Sequence, residues 1–127
     1  MFTLRILPDL FGVLKLPVRQ PWPSWLSDSS VFFVAKTEDE FSIMCPQHHI
    51  PAHQACSRNW RCIRVDGDLA FDQVGVAASI ANPLAEREIS IILVGTHDRD
   101  YVLFQQEHMP QVIEAYESVG FQLNGLD

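Results

Sequence analysis

Apolar and polar residues alternate with a period of two along much of this chain, and twice the period lengthens to that of a helix. Residues 2–7 and 10–16 each alternate and are separated by Pro8-Asp9, which predicts two strands joined by a short turn. Residues 17–23 hold three prolines, so regular structure stops there. Trp22 and Trp25 predict one short helical turn packed on a sheet, and residues 28–30 read as loop. Residues 31–36 and 41–45 are rich in β-branched and aromatic side chains and flank the polar run 37–40. They predict a hairpin that Pro46 ends, because proline cannot donate to a ladder. Residues 47–58, with Pro51 inside, predict an irregular connector.

The second half alternates the two periods more cleanly. Residues 60–66 predict a strand broken by Gly67. Residues 74–87 place Val74, Ala77, Ala78, Ala81, Leu84 and Ala85 on one helical face, with Asp72 where an N-cap would stand. The run 89–94, apolar except for Ser90, predicts a central, covered strand. Residues 101–104 predict another strand. Residues 108–119 predict a second amphipathic helix with Val112, Ile113, Ala115, Tyr116 and Val119 inward, Gly120 at C′, and a last short strand at 121–123. From residue 60 the order is β-α-β-β-α-β, the ferredoxin-like motif. Residues 1–58 follow a decayed version of it: strand, short helix, hairpin, weak helical turn. The expected fold is therefore α+β, an internal repeat of two ferredoxin-like units, 1–58 and 59–127, the first with reduced helices.

Charge narrows the function. The 127 residues carry a formal net charge of -7, and the nine Lys and Arg residues are scattered along the sequence. That pattern lacks the phosphate-neutralising stripe nucleic-acid binding needs, and it disfavours an anionic membrane surface. No apolar run reaches the length of a spanning helix, and residues 1–16 interleave charges with apolar residues, unlike a signal peptide. A cytoplasmic protein is the expectation. Three cysteines, Cys45, Cys56 and Cys62, exclude a complete disulfide framework.

Candidate binding chemistry gathers at two places. The run Asp72-Gln73-Val74-Gly75-Val76 opens a helix, where backbone N–H groups lack partners and the dipole is positive. A carboxylate is well received there, and Gly75 lets a ligand approach the backbone. Thr96 and His97 end the next strand, and Asp98 and Asp100 flank its turn, where an acidic side chain suits an ammonium group. Together they fit a zwitterion such as an amino acid. The alternative for each is structural: Asp72 caps, Gly75 permits close packing, and the aspartates shape a turn. A rival lies in residues 45–56, where Cys45, His48, His49, His53 and Cys56 offer zinc ligands at no standard spacing. Cys45 is expected to point into the core instead. Cys62, within an alternating strand, reads as a small hydrophobe rather than a nucleophile. No pair of titratable groups suggests general acid–base work, so no enzyme and no cofactor is expected.

The segments Leu14-Lys15-Leu16-Pro17, Glu38-Asp39-Glu40-Phe41-Ser42-Ile43, Cys45-Pro46, Trp60-Arg61-Cys62, residues 71–77, Leu84-Ala85-Glu86, Thr96-His97-Asp98 and Asp100-Tyr101-Val102-Leu103 together resemble the ACT domain family. The resemblance is to the small stand-alone tandem-ACT proteins of bacteria, related to the repeats of the CASTOR arginine sensors and of aspartate kinases. It implies a non-catalytic regulatory module, an amino-acid ligand held by Asp72, Gln73, Val74, Gly75, Val76, Thr96, His97 and Asp98, and a homodimer. Where the family usually reads Ser-Thr-(Tyr or Phe)-Asp-Thr-Asp, this chain reads Gly95-Thr96-His97-Asp98-Arg99-Asp100. The change at His97 and Arg99 favours an alternative in which ligand binding is lost and a protein partner remains.

Overall fold

The computed structural model describes residues 3–67 and 74–126. In chain order the elements are β1 (Thr3–Ile6), β2 (Phe11–Leu16), β3 (Phe33–Lys36), β4 (Phe41–Pro46), β5 (Ser57–Asp66), α1 (Val76–Ala85), β6 (Ile91–Gly95), β7 (Asp100–Gln105), α2 (Met109–Ser118) and β8 (Leu123–Asn124). They form two ferredoxin-like units. One, the insert unit, is Asp9–Trp60; the other, the bipartite unit, combines residues 1–8 with 61–127. The sequence reading places a single boundary near residue 58 and gives both early strands to the first half. In the structure β1 pairs antiparallel with β5 and parallel with β8, so it belongs with the C-terminal segment, whereas β2 pairs with β4 and the start of β5. No helix among the described residues is long and apolar enough to cross a membrane.

In the bipartite unit the strand order is β6-β7-β5-β1-β8. Alternation sends Leu4, Ile6, Ile63, Val65, Val102 and Phe104 into the core beneath α1 and α2, where they meet Ile80, Leu84, Val112, Ala115 and Tyr116. The apolar run expected to form a covered central strand makes β6 instead, which among the described residues pairs only with β7 and leaves Leu93 39% exposed. An apolar run describes burial of some kind, and one-sided burial at an edge satisfies it as well. The helical face of α1 is also rotated from the expected one. Ile80, Pro83 and Leu84 are buried, while Val74, Ala77, Ala78 and Ala85 are exposed. The larger side chains at i and i+4 remove more apolar area from water than alanines do, so they set the phase. In α2 the inward set is Val112, Ala115 and Tyr116, with Ile113 against the core, but Val119 at the C-cap is 55% exposed. Gly120 takes the expected C′ position at φ 93. The N–H of Gly120 reaches the Glu117 carbonyl at 3.1 Å and that of Phe121 the Tyr116 carbonyl at 3.0 Å, while the two rings meet edge to face at 5.6 Å. The Tyr116 hydroxyl donates to the Ile80 carbonyl at 2.7 Å and ties α2 to α1.

In the insert unit the order is β3-β4-β2-β5, with the predicted hairpin in register from Phe33 opposite Met44 to Lys36 opposite Phe41. Both helices of the motif are reduced to 3-10 turns, Ser24–Asp28 and Gln47–His49. Leu26 and Ile50 cover Leu14, Leu16, Phe41, Ile43 and Cys45.

Candidate functional site

The β5 strand ends at Asp66, and the turn from β6 into β7 lies at the same end of the sheet. Arg99, closing that turn, donates from Nη1 to the Asp66 carboxylate at 3.1 Å. The turn is built by Thr96, whose N–H reaches the Arg99 carbonyl at 2.9 Å. The Thr96 hydroxyl donates to the same oxygen at 2.8 Å and accepts the Arg99 N–H at 3.2 Å. Thr96 is thereby committed to backbone geometry. His97 and Asp98 at the tip pair with each other, Nδ1 to Oδ1 at 2.7 Å, and both side chains are more than three-quarters exposed at 82% and 76%. Asp98 thus already has a partner.

Of the candidate residues at the helix entrance, Asp72 and Gln73 lie outside the described residues. Val74 is 95% exposed. The N-cap of α1 is Gly75 rather than Asp72: Gly75 sits at φ 84, and its carbonyl accepts both the Ser79 N–H at 3.0 Å and the Ser79 hydroxyl at 2.9 Å. A positive φ is the reason glycine stands here, and a Cβ added to it would meet nothing within 4 Å. Val76 begins the helix. Among the described residues no side chain caps this end and no acid stands in the first turn, where the helix dipole is positive.

Asp66 is the charged centre of this end of the sheet, and sequence reasoning passed over it. Besides Arg99 it accepts Arg64 Nε at 2.6 Å and Arg64 Nη2 at 3.2 Å, and Arg5 Nε stands 3.7 Å away. The Arg64 hydrogen bond and the surrounding guanidiniums hold the Asp66 carboxyl below the usual carboxylate range, and the same bond raises Arg64. The signal was present in part: alternation puts residues 64 and 66 on one face of one strand. The contributions of Arg5, from β1, and of Arg99, from the turn before β7, required the strand pairing.

The cysteine–histidine run does not assemble. Cys45 is fully buried and its thiol is raised to about 11, first by desolvation and then by Cys56. The rings of His48 and His49 lie against each other, tilted by 38° with centroids 4.2 Å apart. Among the described residues no three His, Cys, Asp or Glu side chains are placed to hold a metal. Burial lifts the Cys62 thiol to about 12, which withholds the thiolate a nucleophile needs.

Comparison with known proteins agrees with this architecture. Residues 55–118 match the model of the ACT domain, half of the chain, and residues 9–53 match the model of a second, N-terminal domain. The human cytosolic arginine sensor for mTORC1 subunit 1 is 37% identical over 59 residues, which are 46% of this chain and 18% of that protein; the mouse sensor is 38% identical over the same length. The match therefore spans less than a fifth of these relatives. A crystal structure of a protein from Agobacterium tumefaciens superposes with a TM-score of 0.92 at 27% identity, covering 99% of this chain and 94% of that one. The regulatory subunit of aspartate kinase from Thermus thermophilus, in its ligand-free form, shares the fold at 0.59 and 11% identity, over 91% and 97% of the two chains. With half of its length matched by the family model and the strand order in place, the chain belongs to the ACT domain family.

Proposed function

We propose that the chain is a non-catalytic regulatory module that binds an amino acid at the entrance of α1, with the carboxylate on the first N–H groups after Gly75. The observation that carries this reading is the N-terminus of α1 at a left-handed glycine, which no side chain among the described residues caps, with open space where a side chain would stand. Family membership supports it, as does a relative named as an arginine sensor. Asp72, Gln73, Val74, Gly75, Val76, Thr96, His97 and Asp98 are the proposed contacts. Binding one conformation more tightly than another would bias whatever the module is attached to, and a homodimer is the proposed working form.

A thermal-shift screen against the twenty amino acids tests the reading. A ligand at 100 times its Kd adds about 2.7 kcal/mol, which moves the Tm of a domain this size by several degrees. Gly75→Val, which fills the open space and opposes the positive φ, is expected to abolish the response. No shift with any amino acid sinks the reading. The Asp98 carboxylate, engaged by His97 at 2.7 Å, favours a second reading in which this turn meets a protein partner instead.

A further inference from the structure

The face of the bipartite sheet away from α1 and α2 carries a charge arrangement that the net charge conceals. Arg5 and Arg64 stand directly opposite each other on β1 and β5, Thr3 stands opposite Asp66, and Arg99 enters from the start of β7. Three guanidiniums thus converge on one carboxylate, a local surplus of two positive charges in a chain whose net charge is -7. Among the described residues Asp66 is the only carboxylate within ion-pair distance of any of the three. Each guanidinium carries five N–H donors and a carboxylate accepts at about four sites. Only two donors of Arg64 and one of Arg99 reach Asp66 within hydrogen-bond distance, and Arg5 none. The side chains keep 45%, 32% and 35% of their surface for Arg5, Arg64 and Arg99, so solvent reaches what Asp66 leaves. Asn124, in register beside Arg5, adds an uncharged polar group.

We propose that Arg5, Arg64 and Arg99 form a binding site for a small dianion, a phosphate group or a dicarboxylate, with Asp66 as the internal anion that orders the guanidiniums and competes for them. Guanidinium forks match the paired oxygens of both groups, which lysines at these positions would meet only as point charges. Two cations ordered on strands and a third on a bonded turn lose little freedom when the anion arrives. Asp66 sets a threshold, because a monoanion offers no more charge than the carboxylate already there, whereas a dianion does. The site takes none of its cations from the α1 entrance or from residues 96–98, although Thr96 holds the turn that carries Arg99.

Inorganic phosphate and succinate, titrated separately at fixed ionic strength while the arginine Nε–H signals are followed by NMR, test the proposal. Saturable shifts at Arg5, Arg64 and Arg99 are expected, and the tighter of the two anions assigns the source as phosphate or carboxylate. Arg5→Gln removes the most exposed cation and the longest pair, so the fold survives. It is expected to weaken binding about tenfold, the worth of a charge-assisted hydrogen bond. Asp66→Asn removes the competitor and is expected to tighten binding. Shifts that never saturate, or saturate equally in Arg5→Gln, overturn the site. Binding no tighter in Asp66→Asn overturns the role given to Asp66.

Discussion

Residues 9–60 and the unit built from residues 1–8 and 61–127 lay down related ferredoxin-like strand orders under different cover, the second with β1 inserted between β5 and β8. The bipartite unit has two ten-residue helices; the insert unit has 3-10 turns of five and three residues in their places. Proline placement separates them. Five of the eight prolines fall in the insert unit, with Pro17, Pro21 and Pro23 before one turn and Pro46 and Pro51 around the other. Each removes an N–H and clashes with the preceding turn, so neither segment sustains a helix. In the bipartite unit Pro110 sits at the start of α2, where its missing N–H costs nothing. Pro83 does lie inside α1, where it is buried with Ile80 and Leu84. A strand order therefore survives the loss of its helices when a few large side chains, here Leu26 and Ile50, still cover the sheet.

The largest test of that difference is a pair of truncations. Tyr116→Ala removes a fully buried ring and its bond to the Ile80 carbonyl, and is expected to cost about 3–5 kcal/mol in denaturant unfolding. Leu26→Ala, at 1% exposure on a short turn, is expected at the low end of the leucine range, about 2–3 kcal/mol, because a turn with few backbone bonds relaxes into the gap. Hydrogen exchange would then show faster opening over residues 17–32 while α1 and α2 stay protected. Equal costs for the two variants would mean that a 3-10 turn covers a sheet as well as a helix does, and the comparison fails.

A finer contrast lies within the helical unit. Both helices end in the same pair of carbonyl-capping bonds. At α2 the left-handed position is Gly120; at α1 it is Glu88, at φ 57, with its N–H on the Ala85 carbonyl and that of Ile89 on the Leu84 carbonyl, each at 3.0 Å. A non-glycine residue there carries strain that glycine avoids. Glu88→Gly should raise stability by about 0.5–1 kcal/mol, less the entropy glycine returns to the unfolded chain, and Gly120→Ala should lower it by a similar amount. Matched signs for the two variants in thermal melts would show that the bonds, not the φ angle, decide the helix end.

Much of this was legible in the sequence, and the parts that were not share a cause. The strands announced themselves because a period of two survives whatever lies on either side, and the insert unit's missing helices because proline chemistry is local. The edge position of β6 and the rotation of α1 were not legible, since both depend on which neighbour supplies burial. At the candidate site the sequence marked Gly75 and the turn at residues 96–99, whose conformations are local. It did not mark Arg5, Arg64 and Arg99 as a group, because three scattered arginines become neighbours only through strand register.

That register gives a predicted effect no larger than the helix-end one, and it also separates the two units, because the insert unit has no comparable charge cluster among the described residues. The Asp66 carboxyl is held below its ordinary value, first by the Arg64 hydrogen bond. An unfolded aspartate titrates near pH ~3.9. Above that pH the ionised carboxylate contributes its full stabilisation; as pH falls from there through the lower folded value, the native state resists protonation that the unfolded chain accepts, and the contribution is lost. Wild type should therefore lose stability between pH ~4 and the depressed folded pKa more steeply than Asp66→Asn, whose curve is flatter there. The difference at neutral pH should be about 1 kcal/mol or less, since the arginines remain part-exposed and water screens them. Denaturant midpoints measured across that window would decide it. Parallel wild-type and variant curves would mean that the three arginines pair as well with solvent anions as with Asp66.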